Sequence, residues 1–311
     1  MNLMSAIKTF VAIKRSVGLK YDTNAAILKH FQVFMGDVSL GAIRDNDVVK
    51  FAHEPGSSPK TIRTKFFAIG VFFNWAADRG YIAASPIYSK PPHMNQDFMP
   101  YIYQKDEIKN ILYAASRLDN KSSPLQGKSF RTILLTIYAC GLRLSEATAL
   151  RINDVDFAKN TILISDTKFR KSRILPICDD LCEELFLYLK LRKKLLPCPQ
   201  KSKSAFFSTR TGNAFFGTHV AHLFRKIRKD AGLDFTYRKT PPRIHDLRHT
   251  FAVHRLMDWY RQNMDVQYLL PALSTYLGHT DIEDTKYYLT MTNELLQLVS
   301  QKFESYIMTE K

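Results

Sequence analysis

Apolar positions recur at helical spacing along most of the chain. The clearest run covers residues 59–79, where Ile62, Phe66, Ile69 and Phe73 follow one another at intervals of four, three and four. Ser58 is placed to cap this helix, and Pro59 suits its first position. The first 98 residues read as helical throughout, with no convincing internal repeat. Between Ser85 and about Lys105 the periodicity breaks: SPIYSKPPHMNQDFMPYIYQ contains four prolines, which remove donors and restrict the residues before them. That stretch reads as an inter-domain linker. Helices are then predicted over Asp106–Ser116 and Phe130–Ala139, with a stop at Gly141 and a short helix, Glu146–Leu150, that Ser145 can cap. Thr161–Ile164 and Arg173–Ile177 read as two strands around the polar DTKFRKS, a hairpin turn. Helical spacing returns over Asp180–Lys194, Thr218–Ala231, His245–Tyr260 and Asn293–Tyr306. The expected fold is mainly α with a small antiparallel sheet (α+β), in two domains. A helical domain spans 1–98 with a linker to about 105, and a second domain spans 106–311.

Composition narrows the classes. At 311 residues the chain suits two domains better than one. A 45% hydrophobic and 12% aromatic content is enough for a packed core, which excludes global disorder. Lys and Arg number 45 against 29 Asp and Glu, a net charge of +16, and such an excess points to a polyanionic partner, nucleic acid before membrane. The excess is shared: 12 against 7 in the first 98 residues, 33 against 22 beyond them. Cys140, Cys178, Cys182 and Cys198 contain no Cys-x-x-Cys pair and no zinc spacing, so reduced thiols and a cytoplasmic protein are expected. No apolar run approaches the ~20 residues of a membrane helix, and the opening segment MNLMSAIKTFVAIKRSVGLKY reads as an amphipathic helix, not a signal peptide.

Four clusters carry candidate chemistry. GLRLSEATAL puts Arg143 at a helix junction, where a guanidinium can hold two phosphate oxygens in fork geometry or simply pair with Glu146. The hairpin turn offers Lys168 and Lys171, which are otherwise solvated turn lysines. In RIHDLRHTFAVH, His245 and Arg248 lie three apart and share a helix face, while Asp246, His249 and His254 make the segment unusually polar. In YLGHTDIEDTKYYL, His279 precedes Tyr288 by nine residues. In the first domain, Lys60, Arg63 and Lys65 read as a face that either tracks a phosphate backbone or is merely solvated.

Arg143, the hairpin lysine, His245-x-x-Arg248, Leu277-Gly278-His279 and Tyr288 occur in an order that resembles the tyrosine recombinase (phage integrase) family. By motif the resemblance spans Asp106 to the C-terminus; the first domain is similar to the family's core-binding domain in size and position only. The resemblance implies a site-specific recombinase that cuts and rejoins double-stranded DNA, with the two domains clamped around the duplex and without metal, cofactor or ATP. It implies Tyr288 as nucleophile, forming a 3′-phosphotyrosyl link, and Arg143, His245, Arg248 and His279 as stabilisers of the transition state. Lys168 would protonate the leaving 5′ oxygen, with Lys171 as the alternative, because the turn reads Thr167-Lys168-Phe169 and not the frequent Gly-Lys-Gly. Lys60, Arg63, Lys65, Lys171 and Arg173 are the expected DNA contacts. Tyr287 adjoins Tyr288 but points about 100° away on a helix. The stretch DWYRQNMDVQYLLPALS exceeds the corresponding connection in compact members and resembles a transposon-associated subgroup. Leu296, Val299, Phe303 and Ile307 form a terminal apolar stripe that packs on its own domain or docks on a neighbour within a homotetramer on DNA. The rival readings are a nicking-closing topoisomerase and a DNA-binding accessory protein without catalysis.

Overall fold

The computed structural model describes residues 1–93, 99–118, 125–165, 172–196, 203–233, 235 and 240–309, without the side chains of 302–309. The chain divides into two compact units, Met1–Asp97 and Phe98–Lys311. The first unit holds α1 (Leu3–Ser16), α2 (Asp22–Met35), α3 (Asp45–Ala52) and α4 (Pro59–Asp78). Phe10, Phe31, Phe51, Phe72 and Phe73 are fully buried at its centre, meeting edge to face across the helices. As the pattern predicts, Ser58 Oγ accepts the Thr61 N–H at 3.2 Å and Ile62, Phe66, Ile69 and Phe73 all face inward. Beyond α4, the carboxylate of Asp45 accepts the backbone N–H groups of Tyr88 and Ser89, fixing the start of the proline-rich stretch.

Lys65 departs from expectation. It follows Ile62 by three residues and precedes Ile69 by four, so it falls on the buried stripe of α4 and not on the solvated face. Its ammonium donates to the Phe51 carbonyl at 2.9 Å and to Glu54 Oε2 at 2.6 Å, and lies over the Phe51 ring. Lys65 therefore ties α4 to α3 and has no charge to offer DNA; Lys60 and Arg63 remain exposed.

The second unit opens with α5 (Lys105–Ser116), α6 (Gln126–Cys140) and α7 (Leu144–Ala149). A three-stranded antiparallel sheet follows, in the order β1 (Val155–Asp156), β2 (Thr161–Ile164) and β3 (Arg173–Pro176). Ile162 pairs with Leu175 on the buried face, while Leu163 pairs with Ile174 on the exposed one, the period-two alternation of a one-sided sheet. Helices α8 (Asp179–Leu195), α9 (Gly217–Asp230), α10 (Asp246–Arg261), α11 (Val266–Leu277), α12 (Glu283–Lys286) and α13 (Asn293–Thr309) complete it. Phe130, Ile133, Leu134 and Ile137 of α6 form the spine of the main core. A smaller core joins Phe251 and Leu256 of α10 to Leu273 and Leu277 of α11 and to Leu295 of α13.

Three local departures have physical causes. Helix α7 begins at Leu144, not after Ser145, because Glu146 Oε2 accepts the Arg143 backbone N–H at 2.9 Å and closes the first turn one step earlier. The long stretch after α10 contains a helix of its own, α11: Asn263 turns the chain at φ 55°, and Asp265 caps the helix by accepting the Tyr268 N–H at 3.1 Å. Pro271 sits inside α11, where its ring weakens the sequence signal for a helix. Gly141 ends α6 at φ 59°, and a Cβ there would stand 2.5 Å from Phe251 Cδ1 and 2.7 Å from Leu277 Cδ2. Only glycine lets α6, α10 and α11 approach so closely. Among the described residues no helix is long and apolar enough to cross a membrane.

Candidate active site

The close approach at Gly141 delivers the site. Arg248, on the first turn of α10, is 1% exposed and donates through Nη1 to the Gly141 carbonyl at 2.7 Å and through Nη2 to the Leu277 carbonyl at 2.8 Å. These are the carbonyls left without partners where α6 and α11 end, so two helix termini hold the guanidinium rigidly. Arg143 enters from the start of α7, with Nη2 donating to the Gly278 carbonyl at 3.0 Å and Nη1 to Glu146 Oε1 at 2.9 Å. Both readings of Arg143 thus apply, as a junction arginine paired with Glu146 and as a member of a cationic cluster.

His245 stands immediately before α10, where Asp246 accepts the Arg243 N–H and pins the turn. One helical turn on, the His249 ring lies 4.8 Å from the His245 ring and perpendicular to it. His279 follows Gly278 and meets Thr285 Oγ1 at 2.7 Å through Nδ1. Tyr288 sits in the single 3₁₀ turn Tyr287–Thr290 after α12, its hydroxyl 3.2 Å from His249 Nδ1 and its ring 6.0 Å from that of His279. Tyr288 is 2% exposed and Tyr287 49%, so the neighbouring tyrosines have unlike environments. The structure brings Arg143, His245, Arg248, His279 and Tyr288 together. Lys168 and Lys171 lie outside the described residues.

The cluster sets its own electrostatics. Burial, then the charge of Arg248, brings the His245 pKa down to about 4. Burial and the Arg248 and Arg143 charges bring His279 down to about 4, and burial with the His245 ring brings His249 to about 3. At neutral pH all three are therefore uncharged hydrogen-bonding groups. Burial lowers Arg248 to about 10, which leaves it protonated at pH 7. Burial also raises the Tyr288 pKa, against the pull of Arg248. The positive charge resides on guanidinium groups, suited to an anion with two acceptor oxygens.

Two members were not assigned from sequence. His249 registered only as an unusual polar residue; its position next to Arg248 and four after His245 is the signal that it shares the site. Glu146 registered only as a partner of Arg143. Arg173, expected to contact DNA, is instead 10% exposed in its side chain, bonded bidentately to Glu146 and through Nε to the Tyr276 carbonyl at 2.8 Å. Its bonds to Glu146 on α7 and to the Tyr276 carbonyl on α11 turn the Arg173 side chain inward.

Comparison with known proteins follows the geometry. The phage integrase family matches residues 102–294. A Sinorhizobium fredii protein named as an integrase/recombinase, y4rB, is 30% identical over 308 residues, covering 96% of each chain. Tyrosine recombinase XerC of Halalkalibacterium halodurans is 29% identical over 283 residues, covering 87% of this chain and 86% of the relative. Among solved structures, the Tn1549 transposon integrase in complex with transposon right end DNA superposes with a TM-score of 0.71 at 16% identity, covering 98% of this chain and 99% of that one. A lambda integrase dimer bound to a COC' core site gives 0.64 at 19% identity, with 91% and 96% covered. Motif order, the assembled cluster and the match across most of the chain agree: this chain belongs to the phage integrase family and is a tyrosine recombinase, an enzyme of site-specific DNA recombination.

Proposed function

We propose that this recombinase cuts one DNA strand at a time with Tyr288, rejoins it to a second duplex, and serves the integration and excision of a mobile element. The observation that carries the reading is the Tyr288 hydroxyl, 3.2 Å from His249 Nδ1 in a cluster with Arg143, Arg248, His245 and His279. In the reaction, Arg143 and Arg248 hold the non-bridging oxygens of the scissile phosphate and His245 and His279 complete the hydrogen bonding. The phenol gives its proton to His249 as its oxygen attacks phosphorus. The bond to the 5′ oxygen breaks, and Lys168 protonates that oxygen. The phosphodiester's energy is kept in the 3′-phosphotyrosyl link, which a 5′-hydroxyl of a partner strand attacks to release Tyr288.

The first unit would serve as the core-binding domain and grip DNA with Lys60 and Arg63, and the second unit would serve as the catalytic domain. Solved relatives of the same fold include a lambda integrase tetramer bound to a Holliday junction, which supports assembly of four copies on DNA. The similarity to y4rB and to a transposon integrase favours the mobile-element role.

A nicked duplex carrying the recombination site tests the chemistry, because the nick traps the covalent adduct. Tyr288→Phe should abolish the adduct and leave DNA affinity within about twofold, since one hydroxyl is lost and the site is otherwise spared. Tyr287→Phe should retain it. The opposite pair of results would make Tyr287 the nucleophile, and no adduct from either the native chain or Tyr287→Phe would remove the proposal.

A further inference from the structure

In the second unit the buried carboxylate of Glu146 stands among Arg143, Arg173 and Arg248. Glu146 is 5% exposed in its side chain. Oε1 accepts from Arg143 Nη1 at 2.9 Å and Arg173 Nη1 at 3.1 Å; Oε2 accepts from the Arg143 backbone N–H at 2.9 Å and Arg173 Nη2 at 2.9 Å. Those four bonds fill the acceptor capacity of a carboxylate. Arg248 Nη1 waits 3.9 Å from Oε2, close enough to feel the charge and too far to bond. Arg173 thus occupies half of the acceptor sites of a carboxylate that competes with a phosphate for Arg143 and Arg248.

Arg173 also meets the His279 segment. Its Nε holds the Tyr276 carbonyl at 2.8 Å, and its guanidinium fills the space beside Gly278 so closely that a Cβ there would lie 2.8 Å from Nη1. Gly278 has φ 70° and its carbonyl accepts from Arg143. The chain from Tyr276 to His279 is therefore wedged between Arg173 and Arg143. In sequence, Arg173 follows Lys168 by five residues, at the foot of the hairpin.

We propose that Arg173 is a positioning residue for strand cleavage: it saturates and neutralises Glu146, which leaves Arg143 and Arg248 to act on the scissile phosphate, and it holds the Gly278–His279 segment against them. Without Arg173, two acceptor sites on Glu146 open, and the nearest cations to fill them are the two that the reaction needs. The inference rests on the proposed roles of Arg143 and Arg248.

The test compares native protein, Arg173→Gln, Arg173→Lys and the double variant Arg173→Gln/Glu146→Gln on the nicked duplex. Arg173→Gln should slow adduct formation by about 100-fold, as loss of preorganised transition-state donors does, with DNA affinity within about twofold. Removing the partner's charge in the double variant should recover about tenfold of that loss, because the two residues act as a coupled pair. Arg173→Lys keeps the charge and loses the bidentate fork, so it should recover only part of the loss and fall about tenfold below native, which covers the case of a poorly folded glutamine variant. A histidine NMR titration is read in parallel: the His279 pKa should rise in Arg173→Gln and fall back in the double variant. That readout separates failures, because it can respond even if the native chain forms no adduct. The proposal is overturned if Arg173→Gln cleaves at the native rate, if the double variant is no faster than the single, if DNA affinity falls in step with cleavage, or if His279 titrates unchanged.

Discussion

Three uncharged histidines beside two charged arginines make the free site sensitive to acid. The histidine pKa values fall from the ordinary 6.5 to about 4 for His245 and His279 and about 3 for His249. Between pH 6.5 and about 4 the unfolded chain binds protons that the folded site refuses, so stability decreases as pH falls through that window. The melting temperature of the free protein should drop over this interval, and His245→Gln should flatten the drop. A bound phosphate reverses the sign of the local field and favours the protonated rings, so the DNA complex should be less acid-sensitive than the free chain. An equal slope in native protein and His245→Gln would place the acid sensitivity elsewhere.

At the scale of elements, the site is a meeting of helix ends. Arg248 reads the carbonyls that close α6 and α11, and Arg143 opens α7. Gly141→Ala should therefore act twice: a Cβ within 2.7 Å of Phe251 and Leu277 costs about 1–3 kcal/mol as overpacking, and the shift in the Gly141 carbonyl disturbs Arg248. Denaturant melting together with adduct formation should both register the change. Much of this architecture was legible beforehand. The apolar stripes of α4, α8 and α10, the β-branched strands and the glycine stop each carry a local signal, and Arg143, His245, Arg248, His279 and Tyr288 follow in motif order. What escaped depends on tertiary contact. Lys65 and Arg173 look like solvated cations until the Phe51 carbonyl, Glu54 and Glu146 are brought to them. His249 was hidden by its more familiar neighbours, and α11 by a proline inside it.

For the whole molecule, a net charge of +16 predicts DNA affinity that falls steeply with salt, in proportion to the phosphates neutralised. Assembly is a separate matter. Helix α13 joins its own unit through Leu295, which is fully buried, and through an ion pair between Glu294 and Arg261, while Leu296 is 44% exposed. Cis packing and the apolar stripe thus use different sides of one helix near its start. Leu296→Asp should spare binding by one protomer and weaken cooperative filling of paired sites by about tenfold, the loss expected for one buried leucine contact. Unchanged cooperativity in a gel-shift titration would count against docking on a neighbour.

The enclosed position of Tyr288 has a further consequence for chemistry outside the reaction cycle. A phenol only 2% exposed and hydrogen-bonded to His249 is shielded from electrophiles, whereas Tyr287 is half in solvent. Mild nitration of the free protein should modify Tyr287 and leave Tyr288 intact by peptide mapping. In the proposed role of Tyr288, burial would therefore protect the attacking hydroxyl of the free protein from chemical damage that reaches its neighbour.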